Sequence, residues 1–137
     1  MTNVFTYGSL MFPEVWQRVV LGKYDSSVGS VHGFRRVGVR DKEHPALIIA
    51  KDAPALSGRI YFDVSDTDLA RLDQFETHRY ARVSVAVTVS QKPIVADAYL
   101  ALNHDELTDE DWDVEAFVKR GLGKFLAGYV AAHAPTE

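Results

Sequence analysis

Cysteine is missing from all 137 residues, which excludes disulfides, thiolate nucleophiles and zinc–thiolate centres. Long apolar runs are missing too. No stretch approaches the ~18 residues that a membrane helix requires, and the N-terminus lacks the basic region and apolar core that mark a signal peptide. An excess of positive charge is also lacking: 15 Lys and Arg stand against 19 Asp and Glu, a formal net charge of -4 with both signs mixed along the chain. A nucleic-acid partner favours a basic stripe, so none is expected, and no membrane partner either. The five histidines, at positions 32, 44, 78, 104 and 133, show no i, i+4 pair or other ligand spacing, so no metal site is expected. The phosphate loop G-x-x-x-x-G-K-[ST] and the nucleophile elbow G-x-S-x-G are both absent. What remains is 47% hydrophobic and 25% charged, the composition of an ordinary globular protein. The length fits one domain, 1–137, with room for a real core, and a cytoplasmic location is the default expectation.

The pattern from about 4 to 102 is strand-rich with two helices inserted, and a helical tail follows at about 109–133. Val4 to Thr6 reads as a short strand that runs into Tyr7-Gly8-Ser9-Leu10. Residues 13–21 read as a helix, with Pro at the first helical position and Gly22 just past the end. Residues 28–40, 46–50 and 56–64 read as strands. Ser65 offers an N-cap for a helix over 66–76, with Asp66 and Asp68 in its first turn. Val83, Val85, Val87 and Val89 alternate with small polar residues in a strand over 80–90, and 93–102 pairs with it as a hairpin. The first strand–helix–strand unit hints at a parallel pair. In the tail Gly121, Gly123 and Gly128 interrupt the apolar spacing, which predicts a break near Gly121. Many short strands with flanking helices imply an α+β domain built on a small, mostly antiparallel (mixed) β-barrel.

Two places carry candidate chemistry. Gly8 lets the 7–10 turn approach a ligand closely, and successive N–H groups of such a turn bind an anion or a developing oxyanion. Ser9 adds a hydroxyl. Taken alone, Gly-Ser is also an ordinary turn dipeptide. The second place is Glu76. Leu69, Leu72 and Glu76 share one helix face, so a carboxylate stands where the pattern calls for an apolar residue. Burial there raises its pKa and suits it to acid/base work. The structural alternative is a helix-end carboxylate paired with Arg79, Arg82 or His78. Tyr80 and Arg82 open the next strand and are candidates to orient Glu76 or a substrate. The basic stretch 32–36 reads as a solvated strand edge.

In order and spacing these pieces resemble the γ-glutamylcyclotransferase-like family, its AIG2-like branch in particular. Tyr7-Gly8-Ser9-Leu10 follows the first strand, and His32-Gly33-Phe34-Arg35-Arg36 resembles the family's glycine-aromatic-arginine strand. His44-Pro45-Ala46-Leu47 resembles its proline-led strand and Ser57-Gly58-Arg59-Ile60 its next glycine-bearing strand. Leu72-Asp73-Gln74-Phe75-Glu76 resembles its Leu-Asp-x-Phe-Glu helix end, with Tyr80 and Arg82 beyond. The resemblance covers roughly 4–102.

It implies a small β-barrel with flanking helices and an activity that needs no cofactor: cyclisation of a γ-glutamyl amino acid or γ-glutamylamine to 5-oxoproline. By that resemblance Glu76 is the general acid/base, and Tyr7, Gly8, Ser9 and Leu10 hold the γ-glutamyl group, with Tyr80 and Arg82 on the substrate side. Thr77 departs from the glycine that many relatives carry after the glutamate. The alternative from another class is a non-catalytic module binding a small carboxylated metabolite. Oligomeric state has no motif here.

Overall fold

A computed structural model describes residues 1–133, the side chains of His78 and His133 excepted. Five strands close a barrel in the order β1-β5-β2-β6-β7: β1 (Thr2–Thr6), β2 (Ser26–Val31), β5 (Leu56–Val64), β6 (Tyr80–Val89) and β7 (Lys92–Ala101). A second sheet, ordered β4-β3-β8, contains β3 (Phe34–Val39), β4 (Pro45–Ile49) and β8 (Leu107–Asp111). Helices α1 (Pro13–Val19) and α2 (Asp66–Glu76) lie between barrel strands in sequence. The C-terminal helix, α3, opens with Val114–Ala116, widens to a π-helix over Phe117–Gly121, narrows at Leu122–Phe125, widens again over Leu126–Val130 and ends with Ala131–His133. Among the described residues no helix is long and apolar enough to cross a membrane.

The β6–β7 hairpin forms as the alternation predicts, with Val85 and Val87 buried and Ser84 and Ala86 exposed. Its turn places Ser90 and Gln91 at positive φ. Ser65 caps α2, its hydroxyl accepting from the Asp68 N–H at 3.2 Å, and Leu69, Leu72 and Phe75 form the buried face. Helix α1 is shorter than the spacing predicts, because Val20 is already extended.

Four expectations need correction. Residues 28–40 form two strands in two different sheets, divided after Val31. Gly33 turns the chain there at φ 85, a conformation that only glycine takes at little cost. The parallel pair is β1 with β7, Val4 facing Asp97, while β1 and β2 are each antiparallel to β5. The tail is no pure helix from 109: residues 107–111 pair with β3. Its run of acids hides the strand from propensity, but Arg35 bridges Asp111 at 2.7 Å and also donates to Asp109 O. Nor does α3 break at Gly121, which is buried against Phe117 and Glu43 and stays helical.

The core has two parts. Phe5, Val31, Ile60, Val85, Val87, Ala96 and Ala98 fill one cluster of barrel residues. Their strand neighbours Val4, Tyr61 and Tyr99 point the other way and pack with α1, α2 and α3. Trp16 of α1 stacks on Tyr61 with centroids 3.7 Å apart. Alternation along each strand therefore feeds both clusters, and the helices are fixed directly against the barrel wall.

Candidate active site

The end of β1 delivers residues 7–10 to a narrow, partly enclosed pocket that Glu76 also lines. Three contacts set the turn. The Tyr7 hydroxyl donates to Tyr99 O at 2.7 Å, the Arg36 guanidinium donates to Tyr7 O at 2.8 Å, and the Tyr61 hydroxyl donates to Leu10 O at 3.3 Å. Gly8 is required by close approach and not by positive φ. A Cβ on it would stand 2.5 Å from Pro45 Cγ. Met11 N–H and Phe12 N–H donate to Gly8 O and Ser9 O, which closes the 3-10 turn Ser9–Met11. The N–H groups just before that closure have no acceptor within the turn itself.

Helix α2 brings Glu76 to the same pocket. With Leu69 and Leu72 buried on its face, Glu76 keeps part of its surface accessible, as a group on a pocket wall must. Desolvation by burial, and then the negative charge of Asp73, push its carboxyl up to about 8. The pairing expected of a helix-end carboxylate goes elsewhere. Arg79 bridges Glu106 at 3.4 Å, and Arg82 bridges Asp73 at 3.0 Å and Asp97 at 2.9 Å. The His78 side chain lies outside the described residues. Thr77, after Glu76, has φ 65 and ψ -172, a region costing ~1–3 kcal/mol for a residue with a side chain. That is the physical reason glycine suits this position.

Of the residues expected from sequence, Tyr7, Gly8, Ser9, Leu10 and Glu76 all line the pocket. Tyr80 stands behind its wall with its hydroxyl on Pro45 O at 3.4 Å. Burial and the charge of Glu76 raise its pKa well beyond the ordinary phenol value. Arg82 is not at the pocket; it sits on the outer side of the barrel, held by the two aspartates. Arg36, read as part of a solvated edge, is half-buried, lies 5.3 Å over Trp112 and grips the turn.

Sequence reasoning missed the rest of the wall. His44 and Pro45 come from the start of β4, Phe75 from α2, Tyr99 from β7, and Phe125 and Tyr129 from α3. Phe125 and Tyr129 stack at 5.1 Å, with His44 tilted against both, and the Tyr129 hydroxyl donates to Phe75 O at 3.2 Å. Their i, i+4 spacing was the one available signal, and it reads equally as core packing. The phenols stay neutral: burial and Glu76 push Tyr129 up to about 12 and raise Tyr7 well above the ordinary value. Among the described residues no group of three or more His, Asp or Glu is arranged to hold a metal ion. Chemically, the site offers one carboxyl able to trade a proton near neutral pH, opposite a turn of backbone donors.

A profile of the family described as "Gamma-glutamyl cyclotransferase, AIG2-like" matches residues 4–114. Protein AIG2 C of Arabidopsis thaliana is 31% identical over 128 residues, spanning 90% of this chain and 76% of that protein. AIG2-like protein D of the same plant is 29% identical over 133 residues, spanning 92% and 85%. Among solved structures, an Arabidopsis thaliana protein in solution superposes with a TM-score of 0.70 at 24% identity, covering 96% of this chain and 81% of the other. One titled gamma-glutamyl cyclotransferase superposes at 0.65 and 16% identity, covering 99% and 89%, which carries the fold alone. With four-fifths of its length inside the family profile, the chain belongs to the γ-glutamyl cyclotransferase, AIG2-like family.

Proposed function

We propose that this protein is a cofactor-independent acyl-transfer enzyme that cyclises a γ-glutamyl amino acid or γ-glutamylamine to 5-oxoproline and releases the amine. The observation that carries this reading is Glu76, pushed up to about 8 while Arg79 and Arg82 pair with other carboxylates, in one pocket with the 7–10 turn. A module that merely bound a carboxylated metabolite would gain nothing from a buried carboxyl group at that place. The family membership supports the reaction class.

The substrate enters as an ammonium, whose positive charge favours the carboxylate form of Glu76 beside it. Glu76 takes one proton from that nitrogen. The freed amine attacks the substrate's own γ-carbonyl carbon, forming the ring C–N bond and moving charge to the carbonyl oxygen. N–H groups of the turn stabilise that oxyanion or hold the α-carboxylate; a well-placed oxyanion donor contributes roughly 3 kcal/mol. As the intermediate collapses, the original C–N bond breaks and Glu76 returns its proton to the leaving nitrogen; the ring nitrogen then gives up its second proton through Glu76, so that the products are the lactam N–H and the amine released as an ammonium. No protein nucleophile is used. The gain from intramolecularity is realised only if the glutamyl chain is held bent, which is the role of the narrow wall. We place the reaction in the cytoplasm, with no nucleic-acid or membrane partner and in a single domain.

The test is incubation with a panel of γ-glutamyl amino acids, γ-glutamylamines and glutathione, reading 5-oxoproline. Glu76→Gln is expected to lower turnover by roughly 100-fold or more, and Ser9→Ala only a few-fold, because backbone groups do that side's work. Activity unchanged in Glu76→Gln would sink the mechanism. Thermal stabilisation by a panel member without turnover would leave the binding module standing instead.

A further inference from the structure

Asp73 lies three residues before Glu76 on α2, one helical turn away. Its Oδ1 accepts from the Tyr99 hydroxyl at 2.7 Å and from Arg82 Nε at 3.0 Å, and its Oδ2 takes a second Arg82 nitrogen at 3.4 Å. Arg82 continues to Asp97 at 2.9 Å, where the Ser84 hydroxyl also donates at 3.3 Å. Inward, Tyr99 lines the pocket and its carbonyl receives the Tyr7 hydroxyl. One hydrogen-bonded chain thus runs from the barrel's outer face, through Arg82 and Asp73, to the turn opposite Glu76. The chemistry of the proposed reaction uses none of Asp73, Arg82 or Asp97.

We infer that Asp73, held in place by Arg82, is a positioning residue for Glu76: it fixes Tyr99 on the pocket wall and sets the charge state of Glu76 through a second carboxyl group one turn away. The inference rests on Glu76 as the acid/base of the reaction above. Two carboxylates at that spacing repel, and the repulsion is strongest where one of them is desolvated. Arg82 pairs with Asp73 at 3.0 Å and partly cancels its charge. Among the described residues, the other titratable groups around Glu76 are Tyr7 from the β1 turn, His44 before β4, Tyr80 of β6, Tyr99 of β7 and Tyr129 of α3, with Arg79 on the 3-10 turn after α2. Burial keeps the phenols neutral at neutral pH, and Arg79 is bridged to Glu106. Asp73 is therefore the anion next to Glu76 that the protein can hold or release.

The experiment is a carbon-13 NMR titration of glutamate carboxyl groups in the full chain, with the Glu76 signal identified by its loss in Glu76→Gln. Asp73→Asn keeps a partner for Tyr99 and is expected to lower the Glu76 midpoint by roughly 0.5–1 pH unit. Arg82→Gln, whose side chain lies outside the pocket and pairs with Asp73 and Asp97, is expected to raise it. An unmoved midpoint in Asp73→Asn, or both variants moving it the same way, overturns the inference. If Asp73→Asn does not fold, Arg82→Gln decides alone, an unmoved or lowered midpoint overturning it. In the enzyme assay the acid limb of kcat/KM should move with the midpoint, whereas a merely structural loss lowers the plateau and leaves the limb in place. Because the titration needs no turnover, a protein inactive on the whole panel refutes the catalytic reading while the coupling is still measured.

Discussion

At the scale of single residues, the carboxyl of Glu76 links function to stability. It is neutral in the folded protein up to about 8, against an ordinary value of 4.5. Below the lower value, folded and unfolded chains both hold the proton. Between the two, the unfolded chain releases it and the folded one keeps it, so the folded state binds more protons and stability falls as pH rises. Glu76→Gln removes that loss. It is expected to match the wild type at about pH 4 and to exceed it by on the order of 4–5 kcal/mol at about pH 9, read as the gap between urea-denaturation curves at the two pH values. A constant gap would mean that the carboxyl ionises freely in the fold. The proposed catalysis has the opposite slope, since the base must be ionised to act. Glu76 was legible in the sequence because it breaks a helical apolar face. The place of Arg82 was not, because its partners Asp73 and Asp97 come from α2 and β7 and meet only once the barrel closes.

At the scale of elements, α3 decides what the pocket admits. Phe125 and Tyr129 bring an aromatic wall from outside the stretch that the family profile covers. Phe125→Ala opens that wall without touching Glu76 or the turn. Across a series of γ-glutamylamines with leaving groups of rising bulk, it is expected to shift preference toward the larger ones by roughly 10-fold, as a few methylene-sized gains in a pocket allow. Equal losses for every member of the series would make Phe125 a core residue and nothing more. The elements legible from sequence were those whose pattern is local: the capped helix α2 and the alternating β6–β7 hairpin. Strand β8 was hidden because four acids in five of its neighbouring positions, 109–113, resemble loop, and only the cross-strand partner Arg35 rescues them. The π-helical turns that aim Phe125 and Tyr129 leave no mark in an apolar spacing that fits an α-helix as well.

At the scale of the whole molecule, a closed barrel and a three-stranded sheet share one chain that crosses between them at Gly33. Each carries a tryptophan reporter: Trp16 stacks on the barrel strand β5, and Trp112 packs beside β8, its indole N–H on Glu43 O at 2.8 Å. If the protein is one cooperative unit, Trp16→Phe and Trp112→Phe variants, each reporting on the other tryptophan, should show fluorescence transitions that coincide with circular dichroism. Within either variant, separate midpoints by the two probes would divide the chain into two units. The barrel class was legible from the number and shortness of the strands; its single parallel seam, β1 against β7, was not, since those strands lie at opposite ends of the core sequence.

The grip of Arg36 on Tyr7 O gives the second sheet a mechanical part to play. The barrel makes the pocket, but the rim that carries the backbone donors is moored from outside, by a guanidinium on β3 backed by an indole. A peptide plane is rigid, so tethering its carbonyl also fixes the direction of the Gly8 N–H on its far side. The aim of that N–H is thus set by the small sheet, which also lends Pro45 to the pocket wall, and the sheet acts as a gunsight bolted to the barrel's mouth.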